Sequence, residues 1–95
     1  MSVRVFAPLA GIALLTACAV PPEGVTQVDL VAFDEAVASI GCDLVGESDY
    51  LPVELQTGLT REQVVQTAAF RVAAEEAVRL ENGGVRLITG ACAPA

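Results

Sequence analysis

The sequence predicts a small α+β domain, three short helices followed by a C-terminal β-hairpin, carried behind a cleaved signal peptide. Three observations support that class. Residues 1–17 join a basic start (Arg4) to an apolar run from Val5 to Leu15 and close on small residues, the parts of a secretory signal. Residues 28–40 and 61–74 repeat apolar side chains at three- and four-residue spacing, with Gly41 and Gly58 as punctuation. After Ala74 the period becomes two, and Asn82-Gly83 separates the two alternating runs.

The chain accordingly divides into a signal peptide over 1–17, a tether over 18–26, one domain over 27–92 and a tail over 93–95. The apolar run of the signal is too short for a transmembrane helix, which needs about twenty residues. Pro21, Pro22 and Gly24 make the tether irregular, and nine extended residues reach about 30 Å at most. The first helix is expected from Val28 to Ile40, with Leu30, Phe33, Val37 and Ile40 inward and Asp34 and Glu35 off the stripe. Cys42 to Val45 reads as a short strand. Ser48 or Asp49 caps a second helix with Pro52 in its first turn, Leu51, Leu55 and Val53 inward, and an end at Gly58.

Thr60 and Gln63 form a capping-box pattern that opens a third helix from Arg61 to Ala74. Val64, Ala68, Val72, Val65 and Ala69 fall within an arc of about 140°, wide enough for one core-facing side. Continued to Leu80, that helix would bury Glu75 and Glu76 in the same arc, at a cost of several kcal/mol. It should therefore stop near Ala74. Val78 and Leu80 then alternate inward with Arg79 and Glu81 outward, a two-residue turn forms at Asn82-Gly83, and Val85 and Leu87 continue the inner face. The competing arrangement is one long helix capped at Asn82-Gly83.

Charge excludes several functions. Twelve acids against five arginines give a net charge of −7, and loss of Arg4 with the signal leaves −8. A nucleic-acid surface needs clustered positive charge, so no nucleic-acid partner is expected. The chain has no histidine and no lysine, which removes Ser-His-Asp and Cys-His arrangements, histidine-ligated metals and Schiff-base chemistry. No loop offers the six to eight oxygens that calcium takes, and the acidic pairs Asp34-Glu35 and Glu75-Glu76 read as solvated faces. No cofactor, metal or catalytic residue is expected.

The three cysteines are Cys18, Cys42 and Cys92. With Cys18 consumed elsewhere, an even pair remains, and in an oxidising compartment Cys42 and Cys92 are expected to bridge. A loop of that size is worth about 4 kcal/mol in the chain-entropy account, as much as a core this small supplies alone. The alternative is two unrelated buried thiols.

Three stretches resemble known families. Leu15-Thr16-Ala17-Cys18 resembles the lipobox of bacterial lipoproteins, which implies cleavage before Cys18, lipidation of that cysteine and anchoring through N-terminal acyl chains. Ala19 in the second mature position resembles lipoproteins sorted to the outer membrane, so the implied address is the outer membrane facing the periplasm. A plain secretory cleavage after Ala19, leaving Val20 first, also fits. The order helix, strand, helix, helix, hairpin over Val28 to Thr89 resembles a winged-helix domain, which implies that the first strand lies beside the last and brings Cys42 near Cys92. Leu55 to Val65 resembles the helix start of small lipoproteins of the outer-membrane protein assembly machinery, though the Gly-x-Pro turn and three strands that follow there are missing here.

Two surface features stand out as candidate sites. Phe70 points about 170° from the centre of the apolar arc, among Gln63, Gln66, Thr67 and Arg71. These five read either as a contact patch for an envelope protein or as Phe70 packing beneath a neighbouring helix. Arg79 and Arg86 are expected opposite each other on the outer face of the hairpin, paired to Glu76 or Glu81 or forming an anion site. The function expected is a membrane-anchored binding or structural module; the alternative is a small periplasmic enzyme or inhibitor.

Overall fold

The structure, a computed structural model, describes residues 20–94. These residues form a small α+β domain of three helices and a three-stranded antiparallel sheet. Helix α1 spans Gln27–Ser39, β1 Asp43–Leu44, α2 Glu47–Thr57, α3 Arg61–Ala73, β2 Ala77–Arg79 and β3 Val85–Leu87, and a 3₁₀ turn follows at Gly90–Cys92. The signal peptide, the lipobox and Cys18 lie outside the described residues.

Local chemistry sets the helix ends. At α1 the Thr26 hydroxyl accepts from Asp29 N (3.1 Å) while the Asp29 carboxylate accepts from Thr26 N (2.9 Å), a reciprocal capping box. Thr60 and Gln63 repeat it at α3, both bonds at 3.1 Å. Helix α2 begins earlier than expected: Gly46 is its N-cap, and Asp49 accepts from Val45 N and Gly46 N. Pro52 therefore sits beyond the first turn. At the other end of α3, Glu76 N donates to Arg71 O (2.8 Å) and Glu75 N to Val72 O (3.0 Å), the two bonds of a Schellman motif. The pivot residue of that motif is Glu75, at φ 64°.

The sheet order is β1-β3-β2, so the first strand lies beside the last, as expected. Asp43 pairs with Arg86 and Leu44 with Val85; Ala77 pairs with Leu87, Val78 with Arg86 and Arg79 with Val85. The hairpin departs from expectation by one residue. Gly83 N donates to Leu80 O (3.0 Å), Leu80 N donates to Gly84 O (2.8 Å), and Gly83 alone of the loop has positive φ, at 91°. This is a turn centred on Glu81-Asn82 with Gly83 as the bulge residue, rather than a two-residue turn at Asn82-Gly83. A one-residue slip inverts a strand. Ala77 is therefore inward and Val78 is 41% exposed, the reverse of the predicted faces of β2.

The core gathers Leu30, Phe33, Ala36 and Val37 of α1, Val53 of α2, Val64 and Ala68 of α3, and Leu44, Ala77, Val85 and Leu87 of the sheet, with Val25 and Leu59 from the connections. Helix α1 presents the predicted stripe, while the other two are rolled. On α2, Val53 is fully buried but Leu51 and Leu55 face solvent; Tyr50 packs on the core instead. On α3 the buried residues are Val64, Thr67 and Ala68, while Val65 and Ala69 are exposed, a roll of about 80° from the expected arc at 100° per residue. Thr67 tolerates burial because its hydroxyl donates to Gln63 O at 2.7 Å, which leaves a valine-like surface.

A non-glycine residue in the left-handed region costs roughly 1–2 kcal/mol, and Glu75 adds a negative charge at a helix C-terminus. Glu75→Gly is therefore expected to raise stability by about 1 kcal/mol, read as a higher midpoint in denaturant unfolding.

Candidate functional site

Four arrangements of side chains were candidates for function: the cysteine pair, the α3 face around Phe70, the arginines of the hairpin and the exposed apolar residues. The cysteines are bonded to each other, with Cα atoms 5.8 Å apart. Cys42 follows α1, its N–H donates to Val37 O (2.9 Å) and its carbonyl accepts from Leu87 N (2.9 Å). The bridge thus lies one step past the β1–β3 ladder and ties the end of α1 to the 3₁₀ turn. Cys92 packs against the core.

The α3 face is not the surface that residue types suggested. Thr67 is in the interior. Arg71 is turned inward: its Nε and Nη2 donate to Asp34 of α1 at 3.0 and 2.6 Å, and its Nη1 donates to Glu76 at 2.6 Å. Its side chain is only 12% exposed. Phe70 is half-buried, packs on the edge of the core and has the Arg71 guanidinium 5.7 Å from its ring centre. Of the five, Gln66 is exposed and Gln63 half-buried. The five residues do not form one free contact face.

The Asp34–Arg71–Glu76 cluster joins α1, α3 and the start of β2, and it was not foreseen. Asp34 and Arg71 are 37 residues apart, so no local pattern announces the pair. Burial is the main influence on Asp34 and lifts its carboxyl above the ordinary value, against the Arg71 bonds and with the help of the Glu76 charge.

Arg79 and Arg86 do not meet either. The register sets Arg86 opposite Val78 and Arg79 opposite Val85, so they occupy opposite faces of the sheet. Arg86 donates to both oxygens of Asp43, at 2.8 and 3.0 Å; these bonds hold the Asp43 carboxyl below its usual value. No anion site is assembled there. Arg61 is likewise engaged, by both oxygens of Glu47, by Glu54, and by the Tyr50 ring at 5.0 Å. Its bonds lower the Glu47 carboxyl.

Large apolar side chains are exposed as well. Leu51 and Leu55, one turn apart on α2, are 47% and 84% exposed. Among the described residues no group of three or more cysteine or acidic side chains is placed to hold a metal ion. The space enclosed by Phe33, Val37, Leu44, Ala68, Arg71 and the sheet leaves no room for a water molecule. No helix among the described residues is long and apolar enough to cross a membrane.

Replacing both Cys42 and Cys92 by alanine should cost about 4 kcal/mol and lower the melting temperature by roughly 20 °C, measured calorimetrically beside the oxidised protein. Acid unfolding should separate the two kinds of carboxylate. Asp43, lowered in the folded state, contributes stability that is complete above its unfolded value near pH 4 and is lost as pH falls. Asp34, raised in the folded state, takes up its proton more readily when folded and offsets that loss. Asp43→Asn should therefore flatten the fall of melting temperature between about pH 5 and 2, and Asp34→Asn should steepen it.

No protein-family model matches the chain, and no curated protein or solved structure matches it either.

Proposed function

We propose that the chain is the precursor of an exported bacterial lipoprotein, cleaved before Cys18, anchored through acyl chains on that residue and acting as a non-catalytic binding or structural module of the cell envelope. One observation carries this reading. Cys42 and Cys92 are bonded to each other, so of the three cysteines only Cys18 is left over, and it is the one that closes Leu15-Thr16-Ala17-Cys18. A structural disulfide fits an oxidising compartment outside the cytoplasm, and pairing of the two domain thiols leaves a single candidate for lipidation.

Further support is weaker in kind and points the same way. Ala19 resembles the second mature residue of lipoproteins sent to the outer membrane. The order of elements, with β1 beside β3, supports a winged-helix-like arrangement, and the net charge of −8 turns that arrangement away from phosphates. The lack of histidine and lysine in the sequence supports a role without catalysis. The binding surface in this reading is the outer side of α2, where Leu51 and Leu55 present apolar area to solvent that suits a partner of matching apolar character.

Intact mass of the protein extracted from membranes tests the anchor. A diacylglyceryl group on Cys18 is expected, and Cys18→Ala should accumulate as uncleaved precursor or leave the membrane fraction. A soluble form beginning at Val20 would overturn the proposal.

A further inference from the structure

The chain joins the domain along α3. Val25 N donates to Pro22 O (3.2 Å) with Gly24 at φ 79°, a tight turn whose third position requires positive φ. A Cβ on Gly24 would stand 2.9 Å from Gln63 Nε2, so the turn is pressed against the first turns of α3. Val25 is 8% exposed and belongs to the core. Before it, Val20, Pro22 and Glu23 line an open groove together with Gln66, Ala69 and Phe70. The segment expected to be a loose tether is folded onto the helix, and the first described residue, Val20, lies over it. Cys18 is two residues earlier, a covalent reach of about 7 Å.

The helix face beside Val20 is mostly uncharged. The roll of α3 that places Thr67 inside and Arg71 on Asp34 leaves Val65, Gln66, Ala69 and Ala73 exposed. With half-buried Phe70 they form a strip whose helix charge is confined to Glu62, at the end where Glu23 of the folded segment also borders it. A diacylglyceryl group in a bilayer holds Cys18 at the headgroup level. Whatever surface surrounds the attachment point must then lie against the lipid, because three residues cannot lift the domain away. We infer that the mature domain rests directly on the bilayer through this face of α3, with Val20, Val65, Gln66, Ala69 and Phe70 at the lipid surface. The inference rests on lipidation of Cys18. The acidic balance selects the surface: neutral headgroups accept the domain, while anionic ones repel a net charge of −8.

The chain contains no tryptophan, so a single introduced indole reports depth. Acylated protein carrying Ala69→Trp, or Val65→Trp as a second variant, is placed in phosphatidylcholine–phosphatidylethanolamine vesicles doped with brominated lipid. Val78→Trp is the reference: Val78 is on the outer face of the sheet, whose inner face and the Ala68 side of α3 line the same interior. Quenching of the α3 indoles severalfold above that of the reference is expected, and replacing part of the neutral lipid by phosphatidylglycerol should reduce it. Equal quenching at both positions, or more at Val78, with intact mass showing acylated Cys18, overturns the orientation and leaves the lipoprotein reading standing. Mass spectra without a diacylglyceryl group overturn both.

Discussion

Arg71 decides how the domain is put together. Its guanidinium reaches Asp34 on α1 and Glu76 at the mouth of β2, so one side chain joins two helices and the sheet. A guanidinium this well covered is tolerated only when its donors are used, since an unpaired buried charge costs several kcal/mol. The helix turns to meet that demand. With Arg71 inward, Thr67 follows it into the core and closes its own hydroxyl on Gln63 O, and Val65 and Ala69 swing outward. On α2 the situation differs: Arg61 is itself exposed, and its bonds to Glu47 and Glu54 lie on the same solvent-facing side as Leu51 and Leu55 without any buried charge to satisfy.

This explains which parts of the fold were legible in the sequence. Helix α1 was readable because Leu30, Phe33 and Val37 are large, apolar and correctly spaced, with nothing polar competing for the inner face. The limits of α3 were readable because Thr60 and Gln63 bond locally and because Glu75 and Glu76 could not be buried. The faces of α2 and α3 were not, since an apolar scale ranks Leu51 and Val65 above Thr67 and knows nothing of a partner 37 residues away. The hairpin was readable as a hairpin but not in register. Asn82-Gly83-Gly84 accommodates either a two-residue turn or a bulge, and the bulge moves every side chain of β2 to the other face.

The candidate sites fared according to the same division. The Cys42–Cys92 pair followed from counting and compartment, which need no geometry. The patch around Phe70 and the opposed arginines depended on helix roll and strand register, and both dissolved when those changed. Of the surfaces that replace them, the Val65–Ala69 side of α3 is the consequence of the Arg71 cluster, while Leu51 with Leu55 accompanies the burial of Val53 and Tyr50 on α2. On α3 a polar requirement inside the molecule thus chooses which apolar residues are offered outside it.

The pairing of β1 with β3 also sets a cost on assembling the domain. Leu44 and Val85 meet across 41 residues of chain, and β1 supplies only two residues to the ladder. Such a seam has no local nucleus, while the helices and the hairpin close over short distances. A reduced chain forms it only after a large loop has been searched. Once the cysteines are joined, the same search is nearly complete before folding begins. The bridge consequently acts on the speed of refolding as well as on stability.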